Sequence, residues 1–80
     1  MADFLKIATW NINSIRIRAE QTASWLQLNN IDILLLQELK CENQHFPYQI
    51  FEDIGYNCYV HGQKSYNGVA ILSKFPAITY

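Results

Sequence analysis

An α/β fold is predicted by three features of the sequence. A short strand, an amphipathic helix and a nearly unbroken apolar strand follow one another at the start of the chain, the order of a β-α-β unit. Apolar residues make up 50% of the 80 residues and charged ones only 16%, a core-forming balance opposite to that of disordered chains. Polar side chains gather just past the ends of both strands, where open α/β sheets place ligands.

The elements follow in order. Residues 5–10 (Leu-Lys-Ile-Ala-Thr-Trp) read as a buried strand that runs into a polar loop at Asn11, Asn13 and Ser14. From Ile15 onward, Ile15, Ala19, Ala23 and Leu26, with the neighbouring Trp25, recur at helical spacing, while Arg16, Arg18, Glu20 and Gln27 fall on other faces. Ser14 is the expected N-cap and Asn29-Asn30 the expected stop. Residues 31–36 form an apolar run broken only by Asp32, which predicts a strand covered on both faces, and Glu38 sits just past its end. Parallel pairing through a right-handed crossover then brings Asn11 and Glu38 out at one sheet edge. Pro47 opens a short helix running to Ile54, which Gly55 closes. Residues 56–60 and 69–72 read as a hairpin around the loop 62–68, and residues 78–80 as the opening of a further strand.

Eighty residues hold one small domain at most. Six basic against seven acidic residues give a net charge of −1, so no basic surface announces nucleic acid, and a polyanion partner has to be argued from local sites. No apolar run approaches a membrane span, and the N-terminus does not look like an export signal, so a cytoplasmic protein with no membrane partner is expected. Cys41 and Cys58 show no zinc or CxxC spacing and are expected to be reduced thiols.

Three constellations could carry chemistry. Asn11, Asn13 and Glu38 form an all-oxygen set suited to Mg²⁺, which keeps several waters and binds through one or two carboxylates; equally, the asparagines fit turn positions and Glu38 a solvated strand end. Arg16, Arg18 and Lys40 lie beside the same edge and suit phosphate contacts, although surface charge explains them as well. The loop Gln63-Lys64-Ser65-Tyr66-Asn67-Gly68 offers a lysine, an aromatic ring and a glycine to a polynucleotide, or is simply a hairpin turn. His45 and His61 are isolated, and Trp10 and Trp25 read as core.

Residues 7–16 (Ile-Ala-Thr-Trp-Asn-Ile-Asn-Ser-Ile-Arg), 32–41 (Asp-Ile-Leu-Leu-Leu-Gln-Glu-Leu-Lys-Cys) and 62–74 (Gly-Gln-Lys-Ser-Tyr-Asn-Gly-Val-Ala-Ile-Leu-Ser-Lys) together resemble the N-terminal part of exodeoxyribonuclease III and the related apurinic/apyrimidinic (AP) endonucleases. The resemblance spans nearly the whole chain and sets residues 1–80 as an N-terminal fragment of an endonuclease/exonuclease/phosphatase domain. It implies a four-layer α/β sandwich, two packed mixed sheets flanked by helices. It also implies Mg²⁺- or Mn²⁺-dependent hydrolysis of DNA phosphodiesters, both 3′→5′ exonuclease and AP endonuclease, on double-stranded and abasic-site DNA. Carried over by position, Glu38 matches the metal-binding glutamate and Asn11 the active-site asparagine. Asn13 falls near the metal, Arg16 and Lys40 on the DNA backbone, and Tyr66 in a DNA-approaching loop.

Two positions depart from the family pattern: Ser14, where many relatives have glycine, and Leu39, where many have threonine, a change that could alter the surroundings of Glu38. Family members are about three times longer, and their later segments supply the catalytic tyrosine, an Asp-x-Asn pair and an Asp-His pair. The chain alone is therefore expected to be inactive as a nuclease, and poorly soluble or molten because apolar surface is left uncovered. Two other readings compete: a non-catalytic remnant or split half that binds DNA or a complementing C-terminal chain, and a superfamily phosphodiesterase acting on lipid or inositol phosphate.

Overall fold

The computed structural model describes residues 4–63 and 67–76. Its elements are β1 (Ile7–Asn11), α1 (Ile15–Asn29), β2 (Ile33–Gln37), a 3₁₀ turn (Asn43–His45), α2 (Tyr48–Glu52), β3 (Asn57–Gly62) and β4 (Gly68–Ser73). One four-stranded sheet has the order β1-β2-β4-β3. β1 and β2 pair in parallel, as the β-α-β pattern predicts, with Asn11 opposite Gln37. β4 then inserts antiparallel between β2 and β3, which makes the sheet mixed. The C-terminal ends of β1, β2 and β3 and the start of β4 consequently share one edge.

One face of the sheet carries the core. Leu34, Leu36, Ala70, Leu72 and Val60 point to the side covered by α1 and α2, where Ile15, Ala19, Ala23, Leu26 and Phe51 meet them. Thr22 is as buried as these apolar residues, because its hydroxyl donates to the Arg18 carbonyl at 2.7 Å, one turn back on the helix. Trp10 and Trp25, expected in the core, pack against it and are half-buried. They pack edge to face at 5.4 Å and, with Ala8 and Thr9, line a slot of about 200 Å³ along edge strand β1.

The opposite face departs from expectation. Leu35 is 36% exposed, Ile71 38%, Val69 52% and Ile7 60%, so among the described residues β2 is covered on one face only. The run of leucines conceals this, since both its odd and even positions are apolar.

Opposite the shared edge, the N-terminal end of the sheet is tied by Asp32. Its carboxylate accepts the Lys6 backbone N–H at 2.8 Å and lies 3.8 Å from the Lys74 ammonium. The Lys6 ammonium donates at 3.0 Å to the Asn29 carbonyl, satisfying one of the free carbonyls at the end of α1. Asn30 ends the helix in left-handed backbone with φ 51.

Ser14 occupies the N-cap position, but its side chain makes no capping bond and its backbone is left-handed at φ 85. A serine pays for this conformation where glycine would not. Ser14→Gly is expected to raise stability by about 1 kcal/mol, read from the urea midpoint; an unchanged or lowered midpoint would count against strain at this position.

Both cysteines are free thiols. Burial pushes the Cys58 thiol from its ordinary 9.0 up to about 12, with the Glu52 carboxylate adding to the rise. The neutral thiol is the form the fold favours. Its contribution is therefore complete below pH 9.0 and is lost as the unfolded thiol ionises on the way up to about 12. Cys58→Ala is expected to flatten the fall in stability over that window, measured as urea midpoints against pH; an identical slope would contradict it.

No helix among the described residues is long and apolar enough to cross a membrane.

Candidate active site

Three segments are braided at the shared edge by main-chain hydrogen bonds. Past the end of β1, the Ile12 N–H donates to the Gln37 carbonyl at 3.0 Å, Ser14 to Glu38 at 3.0 Å and Ile15 to Leu39 at 3.1 Å. Past the end of β2, the Leu39 N–H donates to Gly68 at 3.2 Å and Lys40 to Asn67 at 3.0 Å. The start of the helix, the end of β2 and the base of the hairpin loop are thereby held as one platform.

The backbone on this platform is unusual. Asn13, Ser14, Glu38 and Lys40 all have positive φ, between 50 and 85, although none is glycine. Each such residue costs of order 1 kcal/mol and persists because its surroundings determine it. Leu39, between two of them, is fully buried in the core cluster. The leucine that departs from the family pattern therefore serves as an anchor, leaving Glu38 and Lys40 on the outer surface. Gly68 packs over it, since a Cβ there would lie 3.1 Å from the Leu39 Cβ.

On the platform, the Asn11 amide nitrogen donates to Glu38 Oε2 at 2.5 Å. This bond joins the two residues that sequence reasoning placed together and fixes the carboxylate's orientation. Glu38 is half-buried and in no ion pair among the described residues. Beside it, Gln37 donates to the Thr9 hydroxyl at 2.9 Å and steadies the open face below Asn11. Gln37 was not singled out from sequence, although it immediately precedes Glu38.

The basic residues divide. The Lys40 ammonium donates to the side-chain oxygen of Asn13, so these two predicted site residues hold each other. Arg18 donates through Nε to the Ile12 carbonyl at 2.9 Å, a structural bond across the β1–α1 loop. Arg16 is exposed in the first turn of α1. Its guanidinium reaches electrostatically to the Cys41 thiol, partly offsetting the rise that burial imposes there. Arg16 thus stands beside the strand-end segment that carries Glu38. Tyr66 lies outside the described residues.

The donor chemistry suits a hard divalent cation. Glu38 Oε1 and the Asn11 side-chain oxygen are oxygens left free by the bond between them, and their solvent-facing position leaves room for the waters such an ion keeps. One carboxylate is what this edge supplies: among the described residues, no group of three or more His, Cys, Asp or Glu side chains could hold a metal ion.

Comparison with known proteins agrees with the fold and the motifs. A model of the Endonuclease/Exonuclease/phosphatase family matches residues 8–80. Exodeoxyribonuclease III of Haemophilus influenzae is 40% identical over 70 residues, covering 88% of this chain and 26% of that protein. An AP endonuclease structure from Archaeoglobus fulgidus superposes with a TM-score of 0.85 at 51% identity, covering 89% of this chain and 28% of that one. A Neisseria 3′ phosphatase bound to a product DNA hairpin gives 0.85 at 46% identity, with the same coverage of 89% and 28%. The chain thus spans about a quarter of the length of the relatives it matches. With the family model matched from β1 to the last residue, and with its motifs meeting at one sheet edge, this chain belongs to the endonuclease/exonuclease/phosphatase family.

Proposed function

We propose that the chain carries the metal-binding part of a DNA-repair nuclease of the exonuclease III type, hydrolysing DNA phosphodiesters with Mg²⁺ or Mn²⁺. The observation that carries the reading is the Asn11–Glu38 hydrogen bond at the common end of two parallel strands. It presents an oriented carboxylate with no cationic side chain paired to it among the described residues.

Glu38 would hold the ion, and Asn11 orients its carboxylate by the hydrogen bond to Oε2. The chemistry such an ion would supply is charge neutralisation on the phosphoryl group and the leaving oxygen. Arg16, at the positive end of α1, receives a backbone phosphate, since a cation in a first helical turn is disfavoured by the helix dipole and suits an anion brought from outside. Tyr66, outside the described residues, is proposed as a DNA contact on the family resemblance alone. The base that activates the attacking water is not among these groups, so the chain alone is expected to bind DNA without cutting it.

The open sheet face supports a second layer. Ile7, Leu35, Ile71 and Val69 are the surface on which the second sheet of a four-layer sandwich, or a complementing C-terminal chain, would pack.

The test is fluorescence anisotropy with an abasic-site duplex at several salt concentrations. Arg16→Ala is expected to weaken binding several-fold and to lower the salt slope by about 1, the signature of one lost phosphate contact. Binding and slope that ignore Arg16 would contradict the assignment.

A further inference from the structure

Three features of Lys40 converge. Its ammonium donates to the side-chain oxygen of Asn13, a neutral amide, while the Glu38 carboxylate two residues away receives no ion pair among the described residues. Both partners stand in left-handed backbone, with φ 58 at Lys40 and φ 50 at Asn13. Both are locked there by neighbouring main-chain bonds, Lys40 N–H to Asn67 at 3.0 Å and Ser14 N–H to Glu38 at 3.0 Å. Left-handed backbone held by main-chain bonds on both sides of the contact fixes where the two side chains start.

We propose that Lys40 is a positioning residue that fills the place of a cation at Asn13. Resting on the metal reading of Glu38 given above, this means that an ion held by Glu38 and Asn11 is kept off the Asn13 oxygen for as long as Lys40 holds it. A divalent ion and an ammonium on the same amide oxygen repel each other strongly in a partly desolvated site. Lys40 therefore limits the oxygens open to the metal and sets its affinity.

The experiment is calorimetric titration of Mn²⁺ into the 80-residue chain and four variants. Lys40→Met is expected to bind Mn²⁺ about tenfold more tightly, because the competing charge is gone and the Asn13 oxygen is released. The charge-conserving Lys40→Arg is expected to bind Mn²⁺ no more tightly than the unsubstituted chain, and the double variant Lys40→Met/Asn13→Ala to show no gain over Asn13→Ala alone, a non-additivity that a shared contact produces. A gain that survives in the double variant reduces the effect to bulk charge and overturns the proposal. So does a tenfold loss in Asn13→Ala, which would make Asn13 a ligand in the unsubstituted chain. Mn²⁺ binding without a Lys40→Met gain sinks this proposal alone, whereas no Mn²⁺ binding by any of these chains sinks the metal reading with it. As a second readout, with diamagnetic Mg²⁺ the Asn13 side-chain amide NMR signal is expected to shift in Lys40→Met and to stay in place in the unsubstituted chain.

Discussion

Gly62→Ala is expected to destabilise the chain by roughly 2–4 kcal/mol, enough to remove most of the stability of a domain this small. A Cβ at Gly62 would lie 2.5 Å from the Cys41 carbonyl oxygen and 2.9 Å from both the backbone nitrogen and Oδ1 of Asn43. Two of the three atoms are main chain and cannot swing aside. The 41–43 segment is pinned there because the Gly62 N–H donates to Asn43 Oδ1 at 2.5 Å. Relief of the clash would break that bond and push the segment off β3, and Cys41 is continuous with Lys40 and Glu38. The substitution is therefore expected to disturb the site as well as the fold. Urea denaturation followed by far-UV circular dichroism measures the first effect, and a midpoint unchanged from that of the unsubstituted chain would show that the segment yields cheaply.

The glycine in the Gly-Gln-Lys stretch is thus explained by a close approach that sequence alone does not reveal, since the partner segment is some twenty positions away. The same limit recurs elsewhere. The β-α-β unit and the meeting of Asn11 with Glu38 were legible because buried strands, an amphipathic helix and right-handed crossovers follow from local pattern and handedness. The insertion of β4 between β2 and β3 was not, because strand order depends on pairing across long separations. The uncovered face was hidden by apolar residues at consecutive positions of β2, where Leu34 and Leu36 face the helices and Leu35 faces outward. The serine expected to cap α1 does not cap it, because the left-handed turn that delivers Asn13 takes the backbone out of capping geometry.

At the site, residue types were readable and pairings were not. Asn11 and Glu38 were placed together by topology and are found hydrogen-bonded. The bond from Lys40 to Asn13 was not legible, because it depends on a backbone conformation that non-glycine residues seldom signal in sequence. Arg18 is drawn into the loop by the Ile12 carbonyl, which leaves Arg16 as the exposed cation of the helix start.

The second large effect concerns Glu38. Replacing its carboxylate with an amide keeps the size and the capacity to accept from Asn11, so the platform of main-chain bonds from residues 12, 14 and 15 to residues 37–39 is expected to survive. What is lost is the charge. A hard divalent ion held by a single carboxylate and one neutral amide depends on that charge more than on any other group at the edge. Glu38→Gln is accordingly expected to lower Mn²⁺ affinity by at least about thirtyfold while leaving the unfolding free energy within about 0.5 kcal/mol of that of the unsubstituted chain. Calorimetric titration of Mn²⁺ into the two chains side by side is the direct measurement. One site in the unsubstituted chain that disappears in Glu38→Gln is the expected result, and equal Mn²⁺ binding by both chains would contradict the assignment of Glu38 as the metal-binding carboxylate.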